Sequence, residues 1–399
     1  MGTAATLPFV LRCSLFSLRC SLFPAIRLHT NTRFYNPHIP PLCFSASDIR
    51  ADQLIASAWR PSALNKDAQF GSASGLRLAF GKEATEDRKL MFQRSEVKEL
   101  WERLNRETSN SNSGEADERL LLISGPPGTG KSTAVWMWAG SVAVSSKVVW
   151  IHLGRSGEVL YVEMTSDATR HATLKVDTWG SFFKSNVGEA DVVILDGLIE
   201  NNKKTAMSTL LAWQSNAGGS PLLIFVASEQ IILGGEDLRH SNRVSVCSWS
   251  LSEVLNACTD EAFWGQVSSN VNHLEKGGGS EDSKVAPADA KLYAISEKFM
   301  LCGGSPCWLF GMDWTEAQSD IDGYVDCVSD VSVLRNSLCG AVADTAMNHI
   351  MGLERDGNKF VRTICSRYIQ RTLCRKFRSE LIKFARGEVS TPSDPPWIR

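Results

Sequence analysis

Leu121-Leu-Ile-Ser-Gly-Pro-Pro-Gly-Thr-Gly-Lys-Ser-Thr133 decides the fold of this chain. An apolar run breaks at Gly125 into a loop that matches GxxxxGK[ST] in full, with Gly125, Gly130, Lys131 and Ser132 at the fixed positions. Glycine lets backbone N–H groups converge on a phosphate with no Cβ in the way. A helix expected from Ser132 to about Val144 brings its positive dipole end to the same point. The expectation is a nucleoside triphosphate site, taking ATP with Mg²⁺, formed by Gly125, Pro126, Pro127, Gly128, Thr129, Gly130, Lys131, Ser132 and Thr133. Lys131 is expected to bridge the β- and γ-phosphates and the Ser132 hydroxyl to ligate Mg²⁺.

Downstream, Asp191-Val-Val-Ile-Leu-Asp196 is an apolar strand that ends in an acid. Asp196 is the expected second metal-side residue, beside the phosphate-loop strand. Many ATPases place a glutamate directly after this aspartate to polarise the attacking water; here Gly197 holds that position, and Glu200 is the nearest catalytic candidate. Binding is therefore better supported than turnover, and a slow ATPase or a nucleotide-dependent switch follows. Leu222-Leu-Ile-Phe-Val-Ala-Ser228 ends in a hydroxyl. In additional-strand ATPases a polar residue there senses the γ-phosphate, which makes Ser228 a candidate. Phe92-Gln-Arg-Ser-Glu96 is similar to the Arg-Glu element before the phosphate loop of STAND-type ATPases, and that resemblance makes Arg94 a candidate beside the adenine, with a surface arginine as the alternative. Gly303-Gly-Ser-Pro-Cys-Trp-Leu309 resembles the glycine-proline lid element of the same class, which makes Pro306 a candidate lid contact, the alternative being a simple break between packed helices. Trp136 and Trp138 sit in the phosphate-loop helix and read as core.

Around these motifs, short apolar runs alternate with helical segments: 120–124, 147–153, 191–195, 221–227 and 243–247. That pattern predicts a parallel sheet covered on both faces. The fold class expected is α/β: a P-loop NTPase (AAA/STAND-like) core at 118–270, a linker at 271–289, and a smaller, mainly α-helical, winged-helix-like lid at 290–386. Before the core lie a leader at 1–47 and an extension and linker at 48–117; a tail occupies 387–399. The leader carries Arg12, Arg19, Arg27 and Arg33, no acid before Asp48, and a repeated Leu-Arg-Cys-Ser-Leu-Phe at 11–16 and 18–23. It reads as a transit peptide, a secretory signal or a leader without function.

The 399 residues suffice for two or three domains. With 43% apolar and 22% charged residues and a net charge of −2, the chain as a whole is neither a generally basic nucleic-acid binder nor an acidic tail protein. Its 11 cysteines form no CxxC pair and no zinc spacing, so free thiols are expected rather than a disulfide scaffold. No apolar run is long enough to span a membrane. The segment Arg355–Arg386 is rich in arginine and lysine, with apolar residues near helical spacing. It predicts a basic helix that docks a protein, a nucleic acid or an acidic membrane, or serves as a nuclear import signal, or else a lid helix with a solvated basic face.

The set of elements resembles the NTPase region of the Crinkler effectors, with relatives among the retrotransposon hot spot proteins. Carrying the resemblance are Gln93-Arg-Ser-Glu-Val-Lys-Glu-Leu-Trp101, Gly125–Trp136, Val193-Ile-Leu-Asp-Gly197 and Ser248-Trp-Ser-Leu251. Three more follow in order: Ala257-Cys-Thr-Asp-Glu-Ala-Phe263, Phe299–Trp308 and Ala346-Met-Asn-His-Ile-Met-Gly352. The resemblance implies a secreted effector that enters a host cell and reaches its nucleus; a mitochondrial or cytoplasmic location is the alternative. Some members carry a nuclease after the NTPase, but the chain beyond Gly352 is too short for one, and nuclease activity is not expected. Competing readings are an oligomeric AAA-type motor, with Arg239 or Arg243 as an arginine finger to a neighbour, and a nucleic-acid-binding protein regulated by its NTPase.

Overall fold

The computed structural model describes residues 54–385, apart from 64, 66–67, 85–86, 110–118, 155–156, 218–220, 229–240, 273–286, 339–344 and 358. The leader, most of the two linkers, Arg239 and the tail lie outside these residues.

The strands in chain order are β1 (Ile55–Ser57), β2 (Phe70–Ser74), β3 (Arg88–Phe92), β4 (Leu120–Ser124), β5 (Val148–Leu153) and β6 (Glu158–Met164). They continue with β7 (Thr169–Lys175), β8 (Val192–Leu198), β9 (Leu222–Ala227), β10 (Ser241–Ser245), β11 (Met351–Asp356) and β12 (Lys359–Ile364). Eight of them form one sheet in the order β1-β7-β6-β5-β8-β9-β4-β10. From β5 to β10 every pairing is parallel. The phosphate-loop strand β4 and the acid-bearing strand β8 are separated by the additional strand β9, which is the order of the AAA-like P-loop NTPases. The chain has that fold, with helices on both faces and a helical region after it.

Why these runs form this sheet follows from burial. Every residue of β4, β5 and β9 is buried, so each reads as a nearly continuous apolar run rather than an alternating one, interrupted by His152 in β5 and closed by Ser124 in β4. Side chains still alternate between faces. Leu121 and Ile123 join the core that includes Trp136, Trp138 and Trp150, whereas Leu120 and Leu122 join the opposite core with Phe183 and Leu210.

The sheet is larger than the apolar runs predict. Beyond β5 it continues through an antiparallel β6–β7 hairpin and ends on β1. In β7 exposed Arg170, Thr173 and Lys175 are interspersed with buried Thr169, Ala172 and Leu174, as in an antiparallel strand with one face toward solvent. In the segment before the core, β2 and β3 pair as a hairpin, and Phe80, at the end of the short helix Leu76–Phe80, packs on the sheet.

The C-terminal region packs around a second core, gathered from Phe92 of β3 and from Trp249 through Phe377, with Phe70 and Leu90 of the β2–β3 hairpin packed against it. Its helices are started by acidic and serine caps. Ser250 and Glu253 cap each other's backbone N–H groups at one, and Asp313 and Glu316 do so at another. The single basic helix expected over Arg355–Arg386 is corrected. Residues 351–364 form the β11–β12 hairpin, and helices Arg367–Lys376 and Arg378–Ala385 follow. Gly357, at φ 58°, makes the turn, and β-branched Val361, Thr363 and Ile364 favour a strand over a helix.

Candidate functional site

The site lies where β4, β8 and β5 end. After Ser124 the chain turns through the glycine loop into the helix Lys131–Val142, whose N-cap is Gly130 with no capping side chain and no acid in the first turn. The first-turn N–H groups therefore lack side-chain acceptors, and an anion is their natural partner. Gly128 and Gly130 are exposed and have φ of 75° and 89°. A Cβ on Gly128 would stand 2.7 Å from Ser305 Oγ and 2.9 Å from the Cys307 Cβ. This places the Gly303–Trp308 element directly against the loop, with Pro306 opening the short helix Pro306–Phe310.

Lys131 is buried, and its ammonium donates to the carbonyls of Gly125 at 2.9 Å and Pro126 at 2.7 Å. Thr129 Oγ1 donates to the Pro126 carbonyl, closing the loop on itself. Ser132 Oγ donates to Asp196 Oδ1 at 2.6 Å, so the hydroxyl and the strand-end carboxylate meet. Those two oxygen-bearing groups, with the anion site beside them, are a donor set suited to a hard divalent cation. The residues fit a triphosphate and its metal.

Asp196 has a further partner that sequence reading missed. His152, at the end of β5, places Nδ1 2.7 Å from Asp196 Oδ2. Its ring is buried and stands edge-on to Phe80. The signal was in the two strands: Val148-Val-Trp-Ile-His152 pairs residue for residue with Val192-Val-Ile-Leu-Asp196, putting the two polar groups at one height.

Gly197 explains the missing acid after Asp196. Its φ is 82°, and a Cβ there would lie 2.5 Å from the Leu153 carbonyl oxygen. The strand bulges at this point. The backbone itself excludes a side chain where many ATPases carry glutamate. Glu200 is the first residue of the next helix, Glu200–Gln214, whose start is capped by Asn202 Oδ1 accepting from the Ile199 N–H.

Ser228 follows β9, between the strands that carry the loop and Asp196, and its Oγ is buried without a hydrogen bond among the described residues. Arg94 is not on the surface. It is 2% exposed and stacks 5.2 Å from the Trp249 ring centroid. Its guanidinium donates to Glu253 at 2.8 Å, to Glu96 at 2.7 Å and to the Cys247 carbonyl. These bonds tie the segment before the core to the segment after β10. Trp249 in turn donates from its indole to the Thr129 carbonyl at 3.4 Å and from its backbone to the Gly304 carbonyl at 2.9 Å. Arg243 lies exposed on the edge strand β10, with Nε donating to Ser124 Oγ.

The tryptophans of the phosphate-loop helix are core, as expected. The indole of Trp136 donates to the Ser74 carbonyl and that of Trp138 to Asn105. The described cysteines are all free thiols. Burial pushes the Cys247 thiol, beside Glu96, and the Cys302 thiol up to about 12, which keeps both protonated. No helix of the described residues is long and apolar enough to cross a membrane.

No protein-family model matches the chain, and no curated protein matches it. Among solved structures it is similar to the Thermotoga maritima RuvB Holliday junction branch migration motor. The identity is 12%, over 68% of this chain and 92% of that one, with a TM-score of 0.34. It is also similar to PCH-2 of C. elegans, at 12% identity over 65% of this chain and 67% of that one, with a TM-score of 0.31. At these scores the fold rests on the strand order and the loop described above, not on either likeness.

Proposed function

We propose that this chain binds ATP with Mg²⁺ in the Gly125–Thr133 loop and works as a nucleotide-dependent switch or slow ATPase of the Crinkler type. The observation that carries the reading is the glycine loop opening on an uncapped helix N-terminus, with Ser132 Oγ and the Asp196 carboxylate 2.6 Å apart beside it. The loop N–H groups hold the phosphates, and Lys131 exchanges its loop carbonyls for phosphate oxygens. Ser132 and Asp196 hold the cation, which supplies charge neutralisation for the phosphates when bound. Ser228 reads the terminal phosphate. Pro306 and its neighbours close over Gly128, so that what occupies the loop determines how the C-terminal region sits. With Gly197 in place of an acid, occupancy rather than turnover is the output. The motif resemblance extends the reading to an effector that acts in a host cell and its nucleus.

ATP binding and turnover by the full chain, beside Lys131→Ala, test this. Wild type is expected to bind in Mg²⁺ and to hydrolyse slowly, and Lys131→Ala to lose roughly a hundred-fold in affinity, the loss of charge-assisted bonds. A wild type that binds no nucleotide overturns the proposal.

A second reading, nucleic-acid binding regulated by the NTPase, is favoured by one observation. Arg367, Arg371 and Arg375 share an exposed face of the helix Arg367–Lys376, and Arg378 follows. None of the four makes an ion pair within 4.0 Å among the described residues. A face of one sign without counter-charges suits a polyanion. Under this reading, DNA binding by the full chain falls steeply with salt, and the slope flattens by about 1 to 2 in Arg371→Gln/Arg375→Gln. Unchanged slopes rule it out.

A further inference from the structure

We infer that His152 is a positioning residue for the metal side of the site: it holds the Asp196 carboxylate in the orientation that meets Ser132 and the cation. The inference rests on the nucleotide reading above. It is carried by the bond between His152 Nδ1 and Asp196 Oδ2, at 2.7 Å, and by the bond from Ser132 Oγ to Asp196 Oδ1, at 2.6 Å.

His152 is the polar exception in a strand that otherwise reads Val148, Val149, Trp150, Ile151 and Leu153, all buried. A buried polar group costs free energy unless it is bonded, so its presence in such a run asks for a reason. Its register partner across the parallel pairing is Asp196. An ionised carboxylate only accepts, so the imidazole carries its hydrogen on Nδ1 and donates. The carboxylate is then held from both ends, by the imidazole on one oxygen and the serine hydroxyl on the other. Each oxygen keeps a lone pair for a cation or its water. Phe80, edge-on at 5.4 Å and 87°, fixes the plane of the imidazole. Asp196 is itself 3% exposed, so water is a poor replacement for a lost donor. Without His152 one oxygen is left unsatisfied in a dry site, and the carboxylate is free to turn away from Ser132. Partners that orient a metal-binding carboxylate typically contribute ten- to a hundred-fold in metal affinity.

Isothermal titration of the full chain with ATP, once in EDTA and once in excess Mg²⁺, gives two affinities whose ratio isolates the metal's contribution. His152→Leu is expected to lower that ratio by about ten-fold or more and to leave the EDTA affinity unchanged. His152→Asn restores most of it, because its amide donor reaches the place of Nδ1. If His152→Leu does not fold, His152→Gln replaces it; its longer amide misses that place, and the ratio falls relative to His152→Asn. An unchanged ratio in His152→Leu overturns the inference, as does a loss of affinity equal in EDTA and Mg²⁺, which marks a merely structural role. A wild type that binds ATP in neither condition overturns the nucleotide reading and this inference with it. A wild type that binds, with variants that match it, overturns this inference alone.

Discussion

Gly197 makes its point with a missing atom. With φ at 82° and the Leu153 carbonyl oxygen 2.5 Å from where a Cβ would stand, the residue after Asp196 has to be glycine. Gly197→Glu is therefore expected not to install a catalytic acid. It lowers stability by roughly 1–3 kcal/mol through backbone strain and the carbonyl clash, and single-turnover hydrolysis does not speed up. Thermal melts and a quench-flow time course check both halves. At this scale the site was partly legible. Lys131, Ser132 and their glycines stand in one contiguous run, whose chemistry needs no knowledge of the fold. His152 was hidden because its partner is on another strand, and a lone histidine among apolar residues is more often satisfied core than site. Arg94 was visible as a residue, but its burial was not, because Glu253 and Trp249 come to it from the far side of the core.

Among elements, those with a continuous apolar run were readable and those with weak alternation were not. β4, β8 and β9 announce themselves, whereas β6 and β7 mix charged residues into strands that cross-strand pairing stabilises. The β11–β12 hairpin was misread for a related reason: Phe360, Ile364 and Tyr368 also fit a helical period, and the turn at Gly357 is what decides. Caps, by contrast, act locally and can be tested locally. Asp330 heads the helix Val331–Leu338 and accepts from Ser332 Oγ, the Ser332 N–H and the Val333 N–H. The Ser332 hydroxyl first, then the Val333 backbone, hold its carboxyl below the usual aspartate value. Since the folded pKa lies below the unfolded one, this contribution is present above the ordinary aspartate range and is lost as pH falls through the folded value. Asp330→Ala is expected to lower the melting temperature at neutral pH, with the difference from wild type vanishing toward acid. A melting series across pH reads it; a difference that persists at the acid end contradicts the assignment.

For the molecule as a whole, Trp249 is the residue through which the parts meet. It touches the loop at Thr129, the Gly303–Trp308 element at Gly304, Arg94, and the rings of Phe92 and Phe310. A Cβ on Gly304 would run into the Trp249 carbonyl oxygen and stand 2.7 Å from its backbone nitrogen. Gly304→Ala is therefore expected to lift the lid element from the loop and weaken ATP binding by about ten-fold, equivalent to 1.4 kcal/mol. The Asp196–Ser132 contact should remain intact, so the Mg²⁺-to-EDTA affinity ratio stays at its wild-type value. If affinity is unchanged, the lid does not contribute to the site. The motor reading makes a separate claim at this scale, because a finger from a neighbouring copy makes turnover per chain rise with protein concentration. With Gly197 fixed by the backbone, turnover per chain is expected to stay low and constant across a dilution series.

The sheet order also bears on how the chain is made. The loop-bearing strand β4 pairs with β9 on one side and β10 on the other, both synthesised roughly a hundred residues after it. A ribosome releasing the chain from its N-terminus thus exposes the glycine loop long before either flanking strand exists. Such sequence-distant pairings close slowly, and a strand edge waiting for its neighbours is open to the wrong ones. The nascent chain passes through a stage in which this apolar strand is unpaired, and that interval is when a holding chaperone has something to hold.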